Sequence, residues 1–409
     1  MDPESLKFLI LAVIVSAFIF ENILDWLNVN RKSDAVPVGL TDYLSLQKLQ
    51  ESNHYRKINY RFGLVSGTFM FLLTMAFVGW GFFGLLDEWL GYYISHPIWL
   101  SLVFFGVVFL GSDLLSLPFD YYQAFVIEAR FGFNKTAPAT FFMDKVKGWA
   151  LSVAIGGGLL FVLLWLVNVM GNEFWWQFWL VISVFMVLAN LFYTSLVLPL
   201  FNKLSPLEDG ELKRQILQYA QTVDFSLTNI MVMDGSTRSS KANAFFSGFG
   251  NKKMVVLYDT LIEQHTPQQL VAVLAHEIGH YKKHHILMGL LMGIVHIGLL
   301  LFTLSVFVFN ESISLALGGS EMAIHLNLIG FSLLFSPISI LTGLGMNMLS
   351  RKNEFQADKY AKNTFGGKPL AEALKTLSIK NLSHINPHPW YVFVHYSHPP
   401  LLERLEKLK

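Results

Sequence analysis

The stretch His276-Glu277-Ile278-Gly279-His280 has the residue types and spacing of a metal-dependent hydrolase. Two histidines four residues apart on a helix project from one face, so both imidazoles can reach a single ion. Glu277, beside the first of them, can reach a water on that ion and act as general base. Such a site needs a third protein ligand and an open fourth position. The longer pattern with a third histidine fails here, because that position is Ile286. On a straight helix His284 lies roughly 12 Å from His276, and His296 roughly 24 Å beyond His280, too far to share the ion. A structural or pore-facing role suits His296 better. Further along, SRKNEFQADKYA at 350–361 sets Glu354 and Asp358 on one helical face. Glu354 can complete a His2Glu site, while Asp358 can orient a ligand imidazole from behind. Taken alone, an acidic pair beside lysines reads as a solvated face. The preceding apolar hairpin, however, returns the chain to the side where His276 sits. The expectation is one Zn2+ per chain on His276, His280 and Glu354, with Glu277 as catalytic base.

What must position these residues is mostly membrane. With 53% hydrophobic and 14% charged residues and a mean hydropathy of +0.46, the 409-residue chain is too apolar for an ordinary soluble protein. Seven stretches are long enough to cross a bilayer: about 6–27, 62–86, 97–118, 149–169, 175–199, 286–309 and 323–349. The first reads as an uncleaved span, since its leader carries Asp2 and Glu4 in place of a basic cluster. Of the 30 Lys and Arg, only Lys7 lies at the outer end of the first span; segments 87–96, 170–174 and 310–322 have none. All the others lie in 28–61, 119–148, 200–285 and 350–409. The positive-inside rule then puts the N-terminus outside and the C-terminus in the cytoplasm.

The chain is therefore read as a mainly α polytopic membrane protein, with seven transmembrane helices and a split, cytoplasmic-side, gluzincin-like zinc protease domain. Residues 1–200 form a five-span membrane region, and 201–409 the protease domain, interrupted by a transmembrane hairpin at 286–349. That domain should hold a helix near 207–223 and a small strand pair at 229–233 and 253–258. Thr266-Pro267-Gln268-Gln269 has the form of a capping box with proline at the first helical position. No helix breaker follows before Ile286, so one helix is expected to run from the polar domain into the sixth span. Polar residues inside spans, among them Asp113, Asn190, His296 and His325, should face a water-filled space or a neighbouring helix. The absence of cysteine removes disulfides, thiolate ligands and thiol nucleophiles. The bilayer is an expected partner and nucleic acid is not; the oligomeric state is not legible.

Four stretches together resemble the integral-membrane zinc CAAX prenyl endoproteases, the type I CAAX prenyl protease family: STRSSKANAFFSGFGNKKMVVLYDTLI (236–262), LAHEIGHYKKHH (274–285), RKNEFQADKYA (351–361) and HYSHPPLLERL (395–405). The resemblance covers nearly the whole chain. It implies zinc on His276, His280 and Glu354, water activation by Glu277, and Asn243 on a strand beside the substrate. It also implies that His398 and Arg404 sit near the scissile bond or the peptide C-terminus, inside a helical barrel enclosing a chamber. The substrate implied is a prenylated CAAX peptide or protein that loses its C-terminal tripeptide.

The residues fit these roles, with alternatives. KANAFFSGFG could offer an edge to which an extended peptide adds as a strand, or form an ordinary hairpin. His398 could donate to a developing oxyanion, or His398-Pro399-Pro400 could cap the last amphipathic helix. Arg404 could pair with a substrate carboxylate, or with an acidic residue of the domain. Two other functions compete: a membrane quality-control zinc protease of the heat-shock type, and a seven-span transporter or receptor with a structural metal. The final EKLK, without a dilysine retrieval signal, and the compact length favour a bacterial inner membrane over the endoplasmic reticulum.

Overall fold

The structure, a computed structural model, describes residues 1–31, 33–227, 229–247 and 254–409. The membrane half comprises α1 (Pro3–Asn30), α2 (Leu46–Gly79), α3 (Phe82–Gly91), α4 (Pro97–Tyr122), α5 (Pro138–Leu151), α6 (Gly158–Met170), α7 (Phe174–Phe192) and α8 (Leu198–Phe201). Then follow β1 (Leu204–Pro206), α9 (Glu211–Thr222), β2 (Asn229–Met233), β3 (Ala244–Ser247), β4 (Met254–Tyr258) and α10 (Asp259–Gln264). The remainder is α11 (Pro267–Lys282), α12 (His285–Phe307), α13 (Glu311–Ala316), α14 (Ile324–Thr364), α15 (Gly367–Lys380), α16 (Pro389–His395) and α17 (Leu401–Leu408).

Among the described residues, six helical tracts are long and apolar enough to cross a membrane. The sequence reading counts seven spans because two of them, 149–169 and 175–199, fall within one tract, Pro138–Phe201. That tract is interrupted by a 3-10 turn at Gly171–Glu173, where Gly171 takes φ +56°, a value open to glycine. Around the turn α6 and α7 pack on each other through Leu163, Leu166, Val167, Phe174 and Phe178, in a core shared with α12 and α14. Two of the polar residues expected inside spans meet neighbouring helices. His325 sits between Ser101 (3.0 Å) and Asp87 (2.8 Å), and Asp113 accepts from Lys145 (3.0 Å) and Trp149 (2.8 Å). Asn190 is exposed and His296 half-buried.

The polar body is built around α11, whose apolar residues Leu270, Val271, Leu274 and Ile278 are almost fully buried among α9, α15, α17 and the sheet. The four-stranded sheet has the order β1-β2-β4-β3. The expected strand pair is present as β2 and β4, and it is parallel; β3 then pairs antiparallel to β4 with Ala244 opposite Leu257. Among the described residues this leaves β3 at the sheet edge with one side unpaired. The end of the glycine-rich stretch, 248–253, lies outside the described residues.

The helix expected to continue from α11 into the span is broken. His284 adopts φ +58°, and α11 closes with Lys283 N–H on Gly279 O at 3.0 Å and His284 N–H on Tyr281 O at 2.9 Å. Histidine enters the left-handed region at modest cost, so a two-residue joint forms where proline and glycine are absent. Another link between membrane and polar body is α14, 41 residues in one helix and so about 60 Å long. Its first half lies among the apolar helices and its second half against α11. Gly279 explains that closeness: a Cβ there would meet Ala357 Cα at 3.1 Å and its carbonyl oxygen at 3.2 Å.

Candidate metal centre

The α11 N-terminus is fixed as the sequence suggests. Gln269 N–H donates to Thr266 Oγ1 (3.3 Å) and Thr266 N–H to Gln269 Oε1 (3.0 Å), with Pro267 at the first helical position. Two turns on, His276 and His280 turn their Nε2 atoms toward one point, 3.1 Å apart. From α14, Glu354 brings Oε1 to 3.2 Å from His280 Nε2 and Oε2 to 3.4 Å from His276 Nε2. These three residues are a group able to hold an ion, with all donor atoms within 4.8 Å of one another. Ligand atoms about 2.0–2.1 Å from a tetrahedral zinc stand about 3.3 Å apart, so the donor set fits that ion. Glu354 Oε2 is buried without a hydrogen bond, although His398 Nδ1 is 3.0 Å away. Burial opposes charge on His276, yet its contacts with Asp358 and Glu354 push its pKa up to about 9, so this point attracts positive charge.

Behind the donors the site is braced. Asp358 Oδ1 lies 2.9 Å from His276 Nδ1 and accepts from Arg404 Nη2 at 2.6 Å, while Arg404 Nε donates to Oδ2 at 2.8 Å. Of the two roles open to Arg404, its bidentate pairing is thus with an acidic residue of the domain, and it is buried to 8% exposure. His398 does not cap α17, whose N-cap is Pro400 without a side-chain cap; it leans on Glu354 with its side chain 66% exposed. Glu277 is half-buried, and burial pushes its carboxyl above the ordinary value against the pull of His276 and His280. Glu277, Asn243 and His398 line one cavity of about 810 Å³ with the three donors. Its wall also includes Ala244, Phe245 and Phe246 of β3. Asn243 is exposed, with Oδ1 accepting from Ala244 N–H at 2.9 Å.

Two features are absent from the reading of the sequence. His285 Nδ1 lies 3.1 Å from His280 Nδ1, and its Nε2 lies 3.0 Å from Gln356 Oε1. With His280 Nε2 aimed at the donor point, its proton sits on Nδ1 and donates to His285, which donates in turn to Gln356. Five residues along an unbroken helix is about 140° round the axis, so only the break at His284 brings these imidazoles together.

The second feature is a set of ties between the membrane half and the segment entering β3. Arg238 Nε and Nη2 bond both Asp144 oxygens at 2.9 and 3.1 Å, and Lys241 Nζ bonds Glu128 at 2.8 Å. Lys135 N–H and the Thr136 hydroxyl both donate to the Arg238 carbonyl at 3.0 Å. Charged residues this far apart in sequence carry no local signal of such pairing.

Residues 25–203 match the family described as CAAX prenyl protease N-terminal, five membrane helices, and residues 206–409 match peptidase family M48. CAAX prenyl protease 1 of Saccharomyces cerevisiae is 33% identical, covering 98% of this chain and 95% of the relative. The Arabidopsis thaliana CAAX prenyl protease 1 homolog is 34% identical over 98% of this chain and 96% of its own. The crystal structure of S. mikatae Ste24p superposes with a TM-score of 0.93 over 99% of each chain, at 33% identity. The chain belongs to the membrane metallopeptidases of family M48 that include the CAAX prenyl proteases.

Proposed function

We propose that this chain is a zinc endopeptidase that removes the C-terminal tripeptide from prenylated CAAX proteins or peptides. The observation that carries the proposal is the meeting of His276, His280 and Glu354 at the wall of a large cavity edged by β3, whose outer side has no partner strand among the described residues. One zinc per chain on these donors would polarise the scissile carbonyl and make bound water acidic enough to attack at neutral pH. Glu277 takes the proton from the attacking water and passes it to the leaving nitrogen, a task suited to a carboxylate whose basicity burial has raised. The peptide lies extended along β3, with backbone bonds to the edge and Asn243 holding its register. His398 donates to the developing oxyanion. Asp358 orients His276 and is itself held by Arg404, which reaches substrate through this brace and its edge on the cavity.

In this reading α6 and α7 cross the membrane separately, which brings the tracts to seven spans. The polar body, 201–409 interrupted at 286–349, faces the cytoplasm, supported by the one-sided placement of Lys and Arg. An amphiphilic substrate suits a metal centre next to spans. A farnesylated CAAX peptide should be cleaved by the purified wild type and at least about a hundredfold more slowly by Glu277→Ala. Equal rates would sink the role of Glu277. No cleavage by a zinc-loaded wild type, or equal cleavage of unprenylated membrane proteins, would sink the substrate class.

A further inference from the structure

A second cavity, of about 390 Å³, lies where α1 ends and α2 begins, and Trp26, Asn30, Arg56, Lys57, Tyr60 and Arg61 line it. The sequence places it in depth. Phe18 stacks on Phe71 across the antiparallel pair at a centroid distance of 4.1 Å. Equal rise along both axes then sets Trp26 level with position 63, and Asn30 level with Asn59. After Arg61 on α2 no charged residue follows until Asp87, and on α1 Glu21 and Asp25 turn to α16, where Glu21 pairs with His395 at 3.1 Å. The cavity therefore opens where hydrocarbon gives way to water, the level of lipid headgroups.

Its chemistry is cationic and unbalanced. Arg56, Lys57 and Arg61 bring three formal positive charges, and among the described residues none has a carboxylate partner. Lys57 and Arg61 are exposed, one helical turn apart on a single face. Arg56 is half-buried, and its contacts are neutral: the Asn28 carbonyl (3.3 Å), the Asn53 side chain and His384 Nε2 (2.6 Å). Its Nε is buried with no hydrogen-bond partner among the described residues. A cation withdrawn from water among neutral groups is costly until an anion completes it. Trp26 and Tyr60 are the amphipathic rings that favour this depth. One turn toward the hydrocarbon, on the same two helix faces, Ile23 and Leu64 stay exposed, as acyl chains below a headgroup require.

We propose that this cavity binds the phosphate headgroup of an anionic phospholipid. Free phosphate shares the anionic chemistry but makes no use of the depth, the rings or the apolar surface below. His384, which Arg56 touches, also lines the catalytic cavity, so the bound headgroup is one guanidinium away from the peptidase site. Neither the cavity nor its charge depends on which peptide the enzyme cuts.

The test is native mass spectrometry of the full-length protein, delipidated in detergent and titrated with phosphatidylglycerol or phosphatidylcholine. One phosphatidylglycerol should be retained per chain, and the double variant Lys57→Ala/Arg61→Ala should lose about tenfold or more in affinity. The charge-conserving variant Lys57→Arg/Arg61→Lys should keep it, and equal thermal midpoints for all three proteins separate a lost site from a lost fold. Equal retention of the two lipids, or unchanged phosphatidylglycerol binding in the alanine variant, would overturn the proposal. So would displacement of the lipid by inorganic phosphate at equal phosphate concentration, which would assign the site to a soluble anion.

Discussion

His285 acts at one remove from the donor set, and its effect is separable from catalysis. The chain from His280 Nδ1 through His285 to Gln356 fixes which ring nitrogen of His280 carries the proton. His285→Ala should weaken zinc binding by about ten- to a hundredfold, read as faster metal loss to a chelator. His285→Asn keeps an acceptor and should recover part of the difference; a His285→Ala protein that holds zinc as tightly as wild type would refute this role. Glu354 was legible because the apolar hairpin before it returns the chain to the side of His276, and His276, Glu277 and His280 because helical periodicity groups them. Asp358 was legible for the same reason, whereas the partner of Arg404 was one of two open readings until geometry chose it. His285 was illegible because its position depends on a left-handed residue that no breaker announces.

At the scale of elements, the close crossing of α11 and α14 depends on Gly279. Gly279→Ala must move Ala357, and overpacking of this kind costs about 1–3 kcal/mol. The expected result is a lower thermal midpoint together with weaker zinc retention, since Glu354 rides on the displaced helix; unchanged values for both would show that the helices can part freely. The approach to β3 is held differently, by the pairs Arg238–Asp144 and Lys241–Glu128. Asp144→Arg and Arg238→Asp should each raise KM for the peptide severalfold while leaving zinc content intact. Combining them should restore KM toward wild type, because the charges are exchanged and not lost. A double variant no better than the worse single one would exclude positioning by this pair. Hydropathy reveals where the spans lie, but these ties join residues 94 and 113 positions apart, beyond any local pattern.

At the scale of the whole molecule, the absence of cysteine makes topology directly measurable. Single cysteines placed at Glu88, Glu311 or Glu321 should react with an impermeant thiol reagent from one side of sealed vesicles. Cysteines at Lys213, Lys352 or Lys375 should react only from the other. Labelling of both sets from the same side would overturn the orientation drawn from charge. Because α11 ends at a joint while α14 stays helical through Pro337 from lipid to Glu354, these two attachments of the metal centre differ in continuity. Changes in bilayer thickness would reach the scissile-bond position through α14 as through a lever arm, with α12 tilting at the joint without dragging the histidines. The point of cleavage is then gauged from the membrane by one helix and left free of the other. A continuous helical attachment of this kind lets an enzyme keep its distance from a lipid-anchored substrate when the surrounding bilayer thins or thickens.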